Sequence, residues 1–151
     1  MLGGPSREVK TETKESFHMA KTICFTRRLI MTILIEQAMA ADTITYSALA
    51  ATYNRRINNE DRPRLPESGS ALGKVLGGHL DAINHVFHKQ NAPYLSALVV
   101  RSSGADAGIP GAGFWNSIEN IEPYFTSPAD FDEKRRIHDQ MKEQIYAYWS
   151  E

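Results

Sequence analysis

Apolar residues recur at helical spacing in three long stretches of this chain, and each recurrence predicts a helix. Between about Ala20 and Ala41, Ile23, Leu29, Ile30, Ile33, Leu34 and Met39 give a wide apolar face, which predicts a buried first helix. Between Ala71 and Gln90, with Ser70 as a cap, Leu72, Val75, Leu76, Leu80, Ile83, Val86 and Phe87 share one face. Lys74, Gly78, Asp81, His85 and His88 share the opposite one. From Asp130 to Trp149, Phe131, Ile137, Met141, Ile145 and Tyr148 or Trp149 line one side of a last helix. A shorter helix follows the β-prone "TITY", with Ser47 as its N-cap and Leu49 and Ala50 as its apolar residues.

The remaining segments are polar, or alternate too briefly for a helix. Residues 55–70, with two prolines, a glycine and four arginines, predict a long loop. Tyr94 to Val100 predicts a strand, "SSGADAGIPGAG" a flexible tip, and Gly113 to Asn116 the returning partner strand of a hairpin. Pro123 and Pro128 punctuate a linker, and Met1 to Ser16 is polar and aperiodic, as a disordered tail would be. Met19 is a candidate natural start. The expected organisation is a tail over residues 1–18, one domain over 19–125, and a terminal helix within 126–151. The expected fold class is mainly α with a small β-hairpin: a winged helix-turn-helix with an added C-terminal helix.

Composition narrows the function classes. The 151 residues are 42% hydrophobic and 23% charged, suited to one globular domain with a modest core. The longest uncharged apolar run, Leu29 to Ile35, is far short of a membrane span, so no membrane partner is expected. With one cysteine, Cys24, an internal disulfide and a multi-thiolate zinc site are excluded, and a cytoplasmic location follows as the expectation. Cys24 reads as a packed thiol inside the first helix. No cofactor is implied. The net charge of −1 is uneven: residues 119–151 hold eight acids and four bases, leaving 13 bases and 10 acids upstream. A mildly basic body with an acidic tail can bind a polyanion locally.

A three-helix core closed by a hairpin wing places one helix in a duplex groove and the wing along the backbone, so this element order points to double-stranded DNA. The residues "ITYSALAA", "KVLG" and "LSALVVRSSGADAGIPGAG" resemble the C-terminal winged-helix domain of alkylguanine-DNA alkyltransferases and their non-catalytic alkyltransferase-like relatives. The resemblance covers roughly residues 43–114. It implies that Tyr46 leans on the DNA backbone near a flipped nucleotide and that Lys74 stands where a finger residue fills the vacated stack. It also puts Ser96 at the position of the nucleophilic cysteine, with Ala97 and Leu98 replacing the histidine and arginine that follow. A serine hydroxyl without an adjacent base stays protonated and is a poor nucleophile, so no catalytic residue is assigned.

The side chains expected to meet DNA are Tyr46, Arg55, Arg56, Lys74, His85, His88 and Arg101, mostly through phosphate oxygens. Asp81, His85 and His88, at i, i+4 and i+7, have metal-ligand spacing, but a solvated polar face explains them more simply, so no metal is expected. The arginines of 55–70 fit a solvated loop as well as a DNA clamp. Gly104, Gly108, Gly111 and Gly113 read as turn geometry, since no helix is expected after them. Phe114 and Trp115 can stack on bases or close the hairpin onto the core. The terminal helix either covers the open side of its own domain or pairs with a second copy as a homodimer. The rival reading is a protein-interaction module whose acidic C-terminal helix docks a protein partner.

Overall fold

A computed structural model describes residues 21–57 and 62–150. The expectations for the 1–18 tail and for the Cys24 thiol lie outside what it describes. Five α-helices and one very small sheet make up the described residues: α1 (Lys21–Met39), β1 (Ile44–Thr45), α2 (Tyr46–Ile57), α3 (Gly69–Lys89), a 3-10 turn (Leu95–Leu98), β2 (Val99–Val100), α4 (Ala112–Ile121) and α5 (Phe131–Trp149). The mainly helical reading therefore stands. No helix among the described residues is long and apolar enough to cross a membrane.

The core forms where the helical stripes meet. Ile30, Ile33 and Leu34 of α1, Leu49 and Tyr53 of α2, and Leu76 and Ile83 of α3 are all buried together. Through this core runs the segment Leu95–Val100, in which every residue is buried. Its 3-10 turn packs against α1, α3 and α5. β2 pairs with β1 in parallel, Ile44 opposite Val99 and Thr45 opposite Val100. A parallel pair needs a long crossover, and α2 with α3 supplies it.

The β-hairpin is a correction. Residues 113–116 do not return as a partner strand: they lie in the first turns of α4, and the one sheet among the described residues is parallel. Phe114, Trp115 and Ile118 are buried at helical spacing, with α4 packed on α3. That burial outweighs the turn preference of the glycines before it. After β2 the chain instead doubles back onto Arg101, whose N–H donates to Ile109 O at 3.0 Å and whose carbonyl accepts from Gly108 N at 2.8 Å. Gly104 and Gly108, both at φ +89°, make the bends. The predicted strand over Tyr94–Val100 likewise shortens to Val99–Val100.

Smaller differences have local causes. Thr45, not Ser47, caps α2, its hydroxyl accepting from Ala48 N at 3.2 Å. Val75 and Val86 of α3 face outward rather than into the core. The expected 55–70 loop begins as helix, because Arg55, Arg56 and Ile57 complete α2. Its later part is pinned. The buried Asn54 side chain accepts from Leu65 N at 2.8 Å and donates to Leu65 O at 2.8 Å, as a neighbouring strand would. Tyr53 donates to Pro63 O, and Arg62 lies 4.2 Å above the Phe25 ring.

α5 starts where the sequence indicates, with Asp130 accepting from Glu133 N at 2.8 Å. It lies against α1 and the 3-10 turn, burying Ile145 and His138 and half-burying Ile137, Met141, Tyr146 and Trp149. Of the two roles considered for it, α5 fills that of covering its own core. Its outward residues are polar apart from Ala147 and Tyr148. His138, 1% exposed, reaches Ala97 O at 2.7 Å. The carbonyl can only accept, so Nε2 carries the proton.

Two stability predictions follow from these contacts. Asn54→Ala leaves the amide and carbonyl of Leu65 unpaired in the interior and should cost about 2–4 kcal/mol in urea unfolding. Arg64→Ala, which removes only an exposed 3.7 Å pair with Glu67, should change stability by less than about 0.5 kcal/mol. Burial holds the His138 imidazole below its ordinary 6.5, so the unfolded chain binds its proton first as pH falls. Its contribution is complete above pH 6.5 and declines below it, and burial shifts His79 in the same direction. Unfolding midpoints should drop between pH 7.5 and pH 5, and His138→Gln, which keeps an N–H donor without a titrating ring, should flatten part of that drop.

Candidate functional site

Beyond the C-terminal end of the small sheet lies a cleft of about 640 Å³. One wall is the glycine edge of α3: Gly69, Gly73 and Gly77. A Cβ placed on Gly73 or Gly77 would meet nothing within 4 Å, so these residues leave open space rather than admit a close neighbour. The other wall is Arg101 to Ser103 and the first turn of α4, Gly111 to Phe114. The volume falls within the range of about 300–1,000 Å³ common for small-molecule sites.

The sheet register builds the rim. Tyr46 follows β1 and Arg101 follows β2, so two parallel strands deliver both residues to the same end. Tyr46 Oη accepts the Gly111 N–H at 3.0 Å, tying α2 to the start of α4. Burial raises the phenol above its ordinary range, against the opposing pull of the Gly111 hydrogen bond and Arg101, so the hydroxyl keeps its proton. The first turn of α4, in which the Phe114 N–H bonds back to Gly111 O at 3.0 Å, carries the helix's positive dipole end toward this rim.

The floor is a chain of hydrogen bonds that runs from three buried polar residues to a half-exposed carboxylate. Ser96 donates to Asn84 Oδ1, Asn84 Nδ2 donates to Ser117 Oγ at 3.0 Å, and Ser117 donates to Asp81 Oδ1 at 2.5 Å. Ser96, Asn84 and Ser117 are 2%, 1% and 5% exposed. Asp81 Oδ2 continues to the exposed His85, 3.8 Å away. The acceptor of the Ser96 proton is thus an amide oxygen, which is no general base. Ala97 and Leu98 beside it are buried and apolar.

The seven residues expected to bind DNA separate into groups. Tyr46 and Arg101 come together at the rim. Lys74 is exposed on α3, next to Gly73 in sequence, and His85 is exposed one turn beyond Asp81. Arg55 is exposed and bonds Thr52 Oγ1 at 3.2 Å. Arg56 is engaged bidentately by Glu36 of α1. His88 lies toward the far end of α3, stacked on Tyr94 with its Nδ1 3.8 Å from Glu122. Among the described residues no group of three or more His, Cys, Asp or Glu is placed to hold a metal, and the Asp81–His85–His88 spacing is divided between two neighbourhoods.

The floor residues Asn84 and Ser117 escaped the sequence reading. Asn84 did leave a signal, a carboxamide inside the apolar stripe of Leu80, Ile83 and Phe87, where a buried polar group demands a partner. Ser117 left none, because α4 was read as strand and linker. In the comparisons with known proteins, no family model, no curated protein and no solved structure matches the chain.

Proposed function

We propose that the chain is a non-enzymatic DNA-binding protein of winged-helix type, resembling the alkyltransferase-like proteins, that senses an altered duplex by receiving an extruded base in the cleft. α2 and α3 serve as the helix pair, and the Arg101–Ile109 loop takes the place of the wing. The observation that carries this reading is the meeting of Tyr46, Arg101 and the first turn of α4 around a cavity floored by Ser96. Cationic and backbone donors at the rim suit phosphate oxygens. A recess of this size behind them suits a base rotated out of its stack. With Arg56 engaged by Glu36 and Arg62 on Phe25, the phosphate contacts fall chiefly to Arg101, Lys74 and Arg55.

A second reading draws on the opposite side of the molecule. There a groove of about 1050 Å³ lies between the end of α3, the end of α4 and α5, with Tyr124 100% and Tyr148 54% exposed beside Glu122. Exposed aromatics of this kind suit a protein partner. This supports the adaptor alternative more than a homodimer built on the polar outer side of α5. A discrete hetero-complex that survives while duplex binding is absent at low salt would select it.

The DNA reading predicts that affinity for a plain duplex falls as salt rises, log K against log salt having a slope of about −0.9 for each phosphate neutralised. Arg101→Ala and Lys74→Ala should each reduce the slope by about one. Gly77→Leu fills the cleft without removing charge and favours the helix by roughly 0.8 kcal/mol. It should leave plain-duplex affinity unchanged and abolish any preference for a duplex with an unpaired base. Fluorescence anisotropy over a salt series checks both, and binding that ignores salt or survives both charge removals unchanged would refute the reading.

A further inference from the structure

The floor of the cleft has a fixed direction of hydrogen bonding, and that direction restricts what it can hold. Asp81 is a carboxylate and can only accept. Ser117 gives it the single hydroxyl proton at 2.5 Å and can therefore only accept from Asn84. Asn84 answers with Nδ2, 3.0 Å from Ser117 Oγ, which turns its Oδ1 toward Ser96. Ser96 then commits its own single proton to that Oδ1. What remains on Ser96 Oγ is lone pairs. Had the chain ended on a cation instead of Asp81, every bond would run the other way and Ser96 would offer a proton.

Resting on the DNA reading above, we infer that the base received by the cleft presents an N–H donor to Ser96 Oγ, and that Asp81 is the positioning residue that sets this polarity through Ser117 and Asn84. The rim complements it. Tyr46 Oη already accepts the Gly111 N–H and keeps its own proton to donate. An acceptor at the floor suits bases with a ring N–H, as thymine, uracil and guanine have. A base whose ring nitrogen is alkylated, or carries only a lone pair toward Ser96, leaves the buried Ser96 acceptor unpaired, and that omission is costly. Ser96 is thus a binding group, at the position where the resembled family has its nucleophile.

The test compares two duplexes identical except for one unpaired residue, thymine in one and N3-methylthymine in the other, by anisotropy at constant salt. The expected result is about tenfold tighter binding of the thymine duplex. Ser96→Ala removes the acceptor and should bring the two within about twofold. Asp81→Ala frees the Ser117 proton so that the chain can reverse, and should also bring the two duplexes within about twofold of each other. Simple exclusion of the extra methyl group would survive both substitutions. Equal binding of the two duplexes by the unsubstituted protein, or discrimination that persists in both variants, overturns the inference and leaves the DNA reading standing. No salt-dependent binding of either duplex overturns both.

Discussion

Six consecutive residues, Leu95 to Val100, are buried with no exposed member between them, and the rest of the structure is arranged around this fact. A chain that threads a core must find partners inside it for its peptide groups, because none can reach water. β1 supplies part of the answer by pairing Ile44 and Thr45 with Val99 and Val100. The 3-10 turn supplies another, Ala97 N–H closing on Tyr94 O. Val99 N–H returns to Ser96 O, and the His138 side chain donates to the Ala97 carbonyl. The two strands have two residues each, yet their direction determines which side chains line the cleft. Because they run in parallel, Tyr46 and Arg101 leave the sheet together, at the carboxyl end where parallel sheets characteristically open their ligand crevices. An antiparallel hairpin would have had no reason to bring them together.

Much of the helical architecture was legible. α1, α3 and α5 bury most of the stripes that their 3.6-residue spacing displays, with Met39, Val75 and Val86 left outside, and the Asp130 cap was readable because capping is local chemistry. Two features were not. The helix α4 hides its Phe114, Trp115, Ile118 pattern directly behind Gly108, Pro110 and Gly111, which are strong turn signals at short range. The parallel pairing joins segments some fifty residues apart, and two residues per strand give no alternation to detect. The clamp of Asn54 on Leu65 was hidden for the same reason, since an asparagine near a helix end looks the same whether solvated or structural.

The site was legible by halves. Tyr46 and Arg101 each stood out as candidate phosphate contacts, but that they share a rim is visible in the register alone. The basic cluster over 55–70 overstated the free charge, because the fold assigns Arg56 to Glu36 and Arg62 to the face of Phe25. With a net charge of −1, the cleft has little charge of its own: Arg101 and Asp81 are the charged residues in its lining, and their neighbours there are glycines, serines and apolar groups rather than further cations. Those glycines, Gly73 and Gly77, perform their role by what they lack: any side chain there would enter the cavity.

The 3-10 turn is held by two buried polar links on adjacent residues, and the links differ in kind. His138 reaches Ala97 from α5 and ends on a backbone carbonyl, so it fastens the terminal helix to the core and transmits no choice of donor or acceptor. Asn84 reaches Ser96 from α3 and is itself governed by Ser117 and Asp81, so it carries a proton direction from a half-exposed carboxylate to the floor of the cleft. An apolar residue at position 84 could pack the same stripe of α3 without the cost of burying an amide. Its presence is accounted for by what it does for Ser96: it orients a hydroxyl that the sequence context alone would have left free to rotate, and so gives a small cavity a defined chemical sense.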